Sequence, residues 1–431
     1  MSRRTALVLL AALLPVLAAA CGDGKIGEGA TVGGARAAGE APRPTQPVAA
    51  SSDTVDCPGT PLRFTTIAAL SGAIAASGDR FRVGTDAAVT AVNRECALGR
   101  PIEVVFCDDA GDVNTNLACG RQAAGDGTLA LLSTVGSFDD GATASGLPGI
   151  FLLGTSAFEL TSPNAYSSIS GISIGMAGLT AAKARGADSF LLVLPDAPAL
   201  QFVAAQVEQM AQLIDIDLEV IYFPTDTTDY APIAAQISQR NPEAIGLLPI
   251  SPVVMINALA DEGLTPENHI MAIASIVLSP EVVTELGHAL DGMIVVSQTV
   301  PPNTVDNPGI AEFREDLEAI GEDPDAPTVD FTTVIAWSNI KKLEESLLAA
   351  GGPSYAANLT PQTLVQALVD HPIARPEAAP YDFRANQITE LPGLASFRVF
   401  TRAVALLELQ GGQYQLLADG FVDILDPPTL G

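Results

Sequence analysis

The stretch from Phe190 to Leu248 reads FLLVLPDAPALQFVAAQVEQMAQLIDIDLEVIYFPTDTTDYAPIAAQISQRNPEAIGLL, and its pattern decides the fold. Short apolar runs alternate with longer amphipathic ones, which predicts strands over 190–194, 218–222 and 244–248 and helices over 200–213 and 230–240. Strands separated by helices of this length form parallel sheets with helices on both faces. The stretch therefore predicts a parallel α/β layer.

The same alternation extends in both directions along the chain. Before this stretch we predict strands over 62–70, 102–106, 129–132 and 149–153 and helices over 80–94, 117–124 and 176–185. After it we predict helices over 253–262, 308–320, 328–350 and 360–369, a strand over 270–274 and a terminal hairpin. Because domains typically contain about 100–200 residues, 431 residues with two such series predict two doubly wound α/β lobes.

The N-terminus has the pattern of an export signal. Arg3 and Arg4 precede an apolar run, Ala6 to Ala20, which is shorter than the roughly 20 residues of a membrane-spanning helix. The run ends in Leu17-Ala18-Ala19-Ala20-Cys21-Gly22, and small residues before a cysteine fit a lipoprotein signal peptidase. We predict a signal peptide over 1–20 and lipid on Cys21. The alternative is ordinary secretion with an incidental cysteine, since Ala18 stands where leucine is commoner.

Residues 21–56 are predicted to be a flexible linker behind that anchor. The segment is rich in Gly, Ala, Pro, Thr and Ser and has no periodic apolar pattern. Such a composition buries too little apolar surface to offset the entropy of ordering.

The remaining cysteines are Cys57, Cys96, Cys107 and Cys119. An even set in an exported chain predicts two disulfides, and the alternative of a zinc site lacks closely spaced cysteine pairs. Cys107 ends a predicted strand and Cys119 lies on the next helix, which packs beside that strand. We therefore predict that Cys107 pairs with Cys119 and Cys57 with Cys96.

The charge of the chain excludes one class of partner. Lys and Arg number 21 against 50 Asp and Glu, a formal net charge of -29. Nucleic-acid binding depends on cationic contacts to phosphates, so we expect no nucleic-acid partner. The same charge opposes adsorption of the folded body to anionic lipid.

Signatures of catalysis are missing from the sequence. His269, His288 and His371 have no metal-binding spacing, no Walker A loop is present, and no G-x-G-x-x-G opens the first helix. We therefore expect binding rather than catalysis, with no cofactor and no metal. The run from Asp108 to Asn114 contains several oxygen ligands that could bind calcium, but a cap on the following helix is the simpler interpretation.

Two loops are candidates for ligand contact. Gly136-Ser137-Phe138 and Gly154-Thr155-Ser156 follow successive predicted strands, and α/β sheets bind ligands beyond the carboxyl ends of their strands. Their N–H and hydroxyl groups are suited to a carboxylate or a similar polar group. The alternative is that serine and threonine are simply common in turns.

In order along the chain, a series of short motifs resembles the branched-chain amino-acid-binding proteins, which have the type I periplasmic binding fold. The motifs are Ala69-Leu70-Ser71-Gly72, Gly78-Asp79, Gly84, Ala91-Val92-Asn93, Gly99-Arg100-Pro101-Ile102-Glu103-Val104, Asp108-Asp109, Gly154, Glu159-Leu160-Thr161, Thr228-Asp229-Tyr230 and Pro242-Glu243-Ala244. The resemblance implies two lobes joined by three crossovers. By analogy one lobe comprises 57–172 plus 299–378, and the other 173–298 plus 379–426.

The resemblance also implies a site between the lobes. Ser137 and Ser156 match residues that hold an amino acid's carboxylate, and the main chain of Gly154 would accept from its ammonium group. The full set of expected contacts is Ser137, Phe138, Gly154, Thr155, Ser156, Leu200, Tyr230 and Ser251.

Departures from the family alter the expected ligand. Ser77 replaces an aromatic residue, and Leu200 and Ser251 stand near the positions of two tyrosines. The acidic partner of the ammonium group aligns with Ile273 or Ala274. An unpaired buried ammonium costs several kcal/mol, so we expect weak or no binding of branched-chain amino acids. The expected solute is an amino acid, amide or small organic acid that is neutral or singly anionic.

The expected function is an extracytoplasmic lipoprotein receptor, monomeric and anchored at the cell surface or in the periplasm. It would deliver its solute to an ATP-driven (ABC) importer through a membrane permease. A sensory receptor without transport and an enzyme on the same scaffold are the alternatives.

Overall fold

The computed structural model describes residues 57–71, 75–132, 138–154, 156–389, 397–426 and 430. The signal peptide, Cys21 and the linker, which were predicted from the sequence, lie outside these residues. Among the described residues, no helix combines the length and apolarity needed to cross a membrane.

The first lobe is built on a five-stranded parallel sheet in the order β2-β1-β3-β4-β5. Its strands are β1 (Leu62–Ala68), β2 (Ile102–Asp108), β3 (Leu131–Leu132), β4 (Gly149–Leu152) and β5 (Ala165–Ser167). The intervening helices are α1 (Ala75–Glu95), α2 (Val113–Gly125), α3 (Asp140–Ser145) and α4 (Ala157–Thr161). β1 pairs with β2 from Leu62↔Ile102 to Ala68↔Asp108, so both strands end at the same edge.

Four later helices complete the first lobe. They are α10 (Pro308–Ala319), α11 (Phe331–Ala350), α12 (Pro353–Ala356) and α13 (Pro361–Asp370). α11 lies against α1 so closely that a Cβ added to Gly84 would meet the Thr333 carbonyl oxygen at 2.1 Å. The core under this layer contains Phe64, Phe106, Phe313 and Trp337, each at most 1% exposed.

The second lobe is built on a larger mixed sheet that runs β12-β11-β10-β9-β8-β6-β7, with β13 paired to β11. Its strands are β6 (Ser189–Pro195), β7 (Asp217–Phe223), β8 (Ala244–Leu247), β9 (Ile270–Ala274), β10 (Ile294–Ser297), β11 (Ala403–Gln410), β12 (Gln413–Leu416) and β13 (Val422–Asp423). Its helices are α5 (Gly171–Ala184), α6 (Pro198–Leu213), α7 (Ala231–Arg240), α8 (Pro252–Asp261) and α9 (Pro280–Leu286), with two 3₁₀ turns, Ser275–Val277 and Gly287–Leu290.

Three crossover segments join the lobes, as the fold class requires. The chain passes from the first lobe to the second between β5 and α5, returns between β10 and α10, and crosses again between α13 and β11. The second and third segments are hydrogen-bonded to each other, because Ala379 N–H donates to Gln298 O at 2.8 Å. The Ser173 hydroxyl donates to Thr401 O at 2.8 Å, which ties the start of α5 to the third segment.

Several boundaries differ from the sequence prediction because caps decide where helices begin. α2 begins at Val113 rather than 117, since the Asp112 side chain accepts hydrogen bonds from Asn114 N–H and Thr115 N–H. α11 begins at Phe331 rather than 328, since Asp330 caps it in the same way. The cap predicted within 108–114 is therefore confirmed. β10 was not predicted, although Ile294–Val296 is an apolar run.

Both predicted disulfides are present. Cys57 is bonded to Cys96, with 5.4 Å between their Cα atoms, and Cys107 is bonded to Cys119, with 5.8 Å. The first ties the segment before β1 to the end of α1, and the second ties β2 to α2. Both bonds therefore lie in the first lobe.

Candidate functional site

The carboxyl ends of β1 and β2 are held together by one side chain. Asp108 Oδ1 accepts hydrogen bonds from Leu70 N–H at 2.9 Å and Ala110 N–H at 2.8 Å. Burial alone would raise the pKa of Asp108, but hydrogen bonds from the Ser71 hydroxyl and three backbone N–H groups outweigh it, and the pKa is lowered. The ionised Asp108 carboxylate therefore holds the loops at this edge in place, and its hydrogen-bonding capacity is used for that purpose.

A buried hydrogen-bond network fixes the position of α3 relative to α2 and to the end of β2. Asn116 on α2 donates to the Asp109 carboxylate at 2.8 Å and accepts from Gly141 N–H at 2.7 Å. α2 and α3 approach so closely that a Cβ on Gly120 would meet the Gly141 carbonyl oxygen at 1.9 Å. The start of α3, which directly follows Asp139, is thus held against α2.

Ser156 begins the next helix by a reciprocal cap. Its hydroxyl accepts from Glu159 N–H at 3.1 Å, and the Glu159 carboxylate accepts from Ser156 N–H at 3.2 Å. Ser156 also lowers the pKa of the Asp139 carboxyl by hydrogen bonding, which indicates that the two side chains lie close together. Ser156 is half-buried, and its hydrogen bonds with Glu159 fix its orientation.

Asp139 introduces a second carboxyl group beside this serine. Burial is the main reason that the pKa of Asp139 is raised from 3.8 to about 6, and the charge of Glu159 raises it further, while hydrogen bonds from Ser156 and Phe158 oppose the rise. An anionic group placed against this loop would meet two carboxyl groups. The loop favours a neutral group that donates a hydrogen bond over a carboxylate.

Gly154 has a structural requirement of its own. Its φ is +59°, and a Cβ at this position would meet the Ile169 carbonyl oxygen at 2.5 Å. Its carbonyl oxygen accepts the N–H of Gly171, the first residue of α5, at 3.0 Å. The loop after β4 therefore lies directly against the N-terminus of α5.

The facing side of the second lobe is apolar at its rim. Ile250, Val254 and Ile276 are 48%, 45% and 46% exposed, and all three follow the ends of β8 and β9. Ser251 starts α8 without capping it, so its hydroxyl makes no hydrogen bond to the helix. Leu200, half-buried in the first turn of α6, continues this apolar surface.

The structure describes most of the site residues that were predicted from the sequence, but not all of them. Gly154 and Ser156 follow the end of β4 and Phe138 lies two residues before α3, whereas Ser137 and Thr155 fall outside the described residues. Leu200 lies in the first turn of α6, which follows β6, and Ser251 directly precedes α8, which follows β8.

Tyr230 requires a correction to the expected set. It is 1% exposed and packs edge-on against Phe223, with 5.4 Å between ring centroids, inside the second-lobe core. Tyr230 lies directly before α7, and its ring is buried in the hydrophobic core on that side of the sheet. In this structure a solute in the cleft has no access to Tyr230.

An apolar cavity of about 110 Å³ lies inside the second lobe, between the sheet and helices α5 and α6. Every lining residue is Gly, Ala, Val, Leu, Ile or Phe. Ile273 and Ala274, which stand where the family's acidic residue is expected, belong to this lining. No ammonium partner is available among them.

A larger groove of about 580 Å³ lies elsewhere and includes none of the predicted site residues. It is bordered by α9, by residues 324–331 before and at the start of α11, and by the β11–β12 turn. Beside it, Arg80 of α1 pairs with Glu281 of α9 at 2.8 Å and lies 3.6 Å from Asp330. Arg80 therefore links the two lobes.

Sequence reasoning missed Asp139, Arg80 and the cavity. Asp139 directly follows a predicted loop, so its position was a usable signal. Arg80 and Glu281 are separated by 201 residues, and nothing local connects them.

Several solved structures of other proteins have the same fold as this chain. One similar structure is an extracellular ligand-binding receptor from Verminephrobacter eiseniae, with a TM-score of 0.70 and 17% identity over 83% of this chain and 100% of that one. Another is a solute-binding protein of an ABC transporter from R. palustris in complex with 4-hydroxybenzoate, with a TM-score of 0.67 and 18% identity over 86% and 98%.

A third similar structure is a fatty acid ABC transporter substrate-binding protein from Thermomonospora curvata, with a TM-score of 0.69 and 14% identity over 86% and 95%. No curated protein sequence matches the chain. Residues 61–393 match the family described as periplasmic binding protein, which is more than half of the 431 residues. The chain therefore belongs to the periplasmic binding protein family, whose members are extracytoplasmic receptors for small molecules.

Proposed function

We propose that this protein is a lipid-anchored receptor that captures a small solute between its lobes and delivers it to an ABC importer. The observation that supports the proposal is that polar side chains of one lobe and apolar side chains of the other both follow the carboxyl ends of strands. Ser156 and Asp139 offer hydrogen bonds on one lobe, and Leu200 and Ile276 offer apolar contact on the other.

The chemistry of these surfaces supports a neutral head group. Asp139 and Glu159 oppose a carboxylate beside Ser156, while a hydroxyl or amide can donate to them. A zwitterionic amino acid lacks an acidic partner at Ile273 and Ala274. Structurally similar proteins bind 4-hydroxybenzoate in one case and are described as fatty acid receptors in another, so ligands with an apolar body are compatible with the fold.

A thermal-shift screen tests the proposal on the whole protein. The panel contains amino acids, primary amides, alcohols, organic acids and small aromatics, each well above its expected Kd. A true ligand at 100 times its Kd adds about 2.7 kcal/mol to the free energy of unfolding. Stabilisation by a neutral solute is expected. If no solute of the panel stabilises the protein, the proposed function is contradicted. If calorimetry shows micromolar binding of leucine, the proposed specificity is contradicted.

The site is tested with Ser156→Ala. Loss of the cap destabilises the protein by about 1 kcal/mol, so affinity has to be measured separately from stability. Thr360→Ala is the matched control, because Thr360 caps α13 by the same reciprocal bonds with Thr363. We expect only Ser156→Ala to weaken binding of the solute found in the screen. Equal affinities in both variants would remove Ser156 from the site.

A further inference from the structure

The apolar cavity of the second lobe is lined by residues spread along β6 and α5. Phe190, Leu192 and Leu194 line it from one face of β6, and these positions span about 13 Å along the strand. Gly171, Gly175 and Gly178 line the opposite wall at intervals of four and three residues along α5, which covers about 10 Å of helix. The cavity thus runs along β6 from near its amino end to its carboxyl end.

The two ends of the cavity differ. Phe190 closes the inner end, because its ring lies so close to Gly246 that a Cβ there would meet Phe190 Cζ at 2.5 Å. Leu200 and Ile276 line the outer end, and Ile276 is 46% exposed. The outer end therefore reaches the surface at the carboxyl ends of the strands.

The outer end also adjoins the polar loop of the first lobe. Gly171 lines the cavity and donates its N–H to Gly154 O at 3.0 Å. The loop that ends at Gly154 therefore lies directly beside the wall of the cavity at Gly171.

We propose that this cavity binds an unbranched alkyl chain carried by the solute, while the polar head of the solute stays beside Gly154 and Ser156. The proposal rests on the proposed function and specifies its substrate class. An apolar cavity without polar lining does not hold water well and takes apolar groups instead. One water-sized sphere needs about 10–15 Å³, so the cavity volume of about 110 Å³ corresponds to roughly seven to eleven groups of that size.

The test is calorimetric titration of the full chain with straight-chain primary alcohols and straight-chain carboxylates of two to twelve carbons. Each buried methylene is expected to tighten binding roughly fourfold until the cavity is filled, after which affinity levels off. The alcohols are expected to bind more tightly than carboxylates of equal length, because of the carboxyl groups beside Ser156.

Gly178→Val fills the cavity from one wall. A Cβ on Gly178 meets only Ala272 Cβ at 3.5 Å and Phe190 Cζ at 3.8 Å, which are ordinary contacts, so the variant is expected to fold. Gly125→Val is the matched control, since Gly125 also lies on a helix and a Cβ there meets nothing within 4 Å. Gly178→Val is expected to weaken decanol binding at least tenfold and leave ethanol and butanol unchanged. Leu200→Trp, at the outer end, is expected to act in the same direction.

The outcomes separate this proposal from the proposed function. If affinity does not depend on chain length, or if Gly178→Val and Leu200→Trp bind decanol as the wild type does, the tail subsite is wrong. In that case another solute from the thermal-shift panel still supports the receptor function. If no solute binds at all, the receptor function itself fails.

Discussion

At the scale of single residues, Asp139 makes the site sensitive to pH. Its pKa is raised from 3.8 to about 6, chiefly by burial, so the fold favours the protonated carboxyl. That stabilisation is fully present below about pH 4 and is lost as the pH rises through about 6. Asp139→Asn mimics the protonated acid. We expect it to stabilise the protein relative to wild type at pH 7 by on the order of 2 kcal/mol, and by much less at pH 3.5.

Urea unfolding at a series of pH values measures this difference. Asp419→Asn, at an exposed position of the second lobe, is the control variant. A stability difference for Asp139→Asn that stays constant from pH 3.5 to pH 7 would contradict the assignment.

At the scale of elements, the two disulfides stabilise the first lobe unequally. The Cys57–Cys96 bond spans 39 residues and the Cys107–Cys119 bond spans 12. Chain entropy predicts losses of about 4 and about 3 kcal/mol when the bonds are removed. We expect the Cys57→Ser/Cys96→Ser variant to unfold at lower denaturant than the Cys107→Ser/Cys119→Ser variant. The reverse order in guanidinium unfolding would show that contacts in the native state outweigh loop length.

The ion pair between α1 and α9 is expected to affect binding rather than folding. Arg80 and Glu281 belong to different lobes, so their attraction favours the arrangement in which the lobes are in contact. Partly exposed pairs contribute about 0.2–1 kcal/mol, and Glu281→Ala should therefore weaken solute binding up to roughly fivefold. Glu103→Ala is the control, because Glu103 pairs with Arg63 at 2.9 Å within the first sheet. Equal affinities of the two variants would exclude a role for the link in closure.

At the scale of the whole molecule, the proposed anchor determines where the receptor works. A single acyl chain binds a membrane only marginally, whereas two or three hold a protein there. We expect Cys21→Ala to block processing or release the protein from the membrane fraction. The measurement is fractionation followed by immunoblotting, with Cys57→Ser/Cys96→Ser as a control that leaves the anchor in place. Membrane retention of Cys21→Ala at the parental level would refute lipid anchoring.

The sequence by itself determined the α/β class, the two lobes and the pairing of the cysteines. These features follow from local patterns, because strand and helix periods are written in runs such as Phe190–Leu194 and Leu200–Leu213, and a cysteine on a strand lies near one on the helix beside it. Caps such as Asp112 could also be inferred, since a capping side chain acts within three residues of its own position.

Only the tertiary structure decided which residues face the solute. Tyr230 looked like a cleft residue and is buried in the core, while Asp139 acquires its raised pKa from burial and from Glu159, twenty positions away in sequence. The apolar cavity exists because glycines on α5 meet residues of α6 and β6 that are not their neighbours in sequence. Voids, charge environments and contacts between lobes arise from packing across long separations, and a local sequence pattern contains no information about that packing.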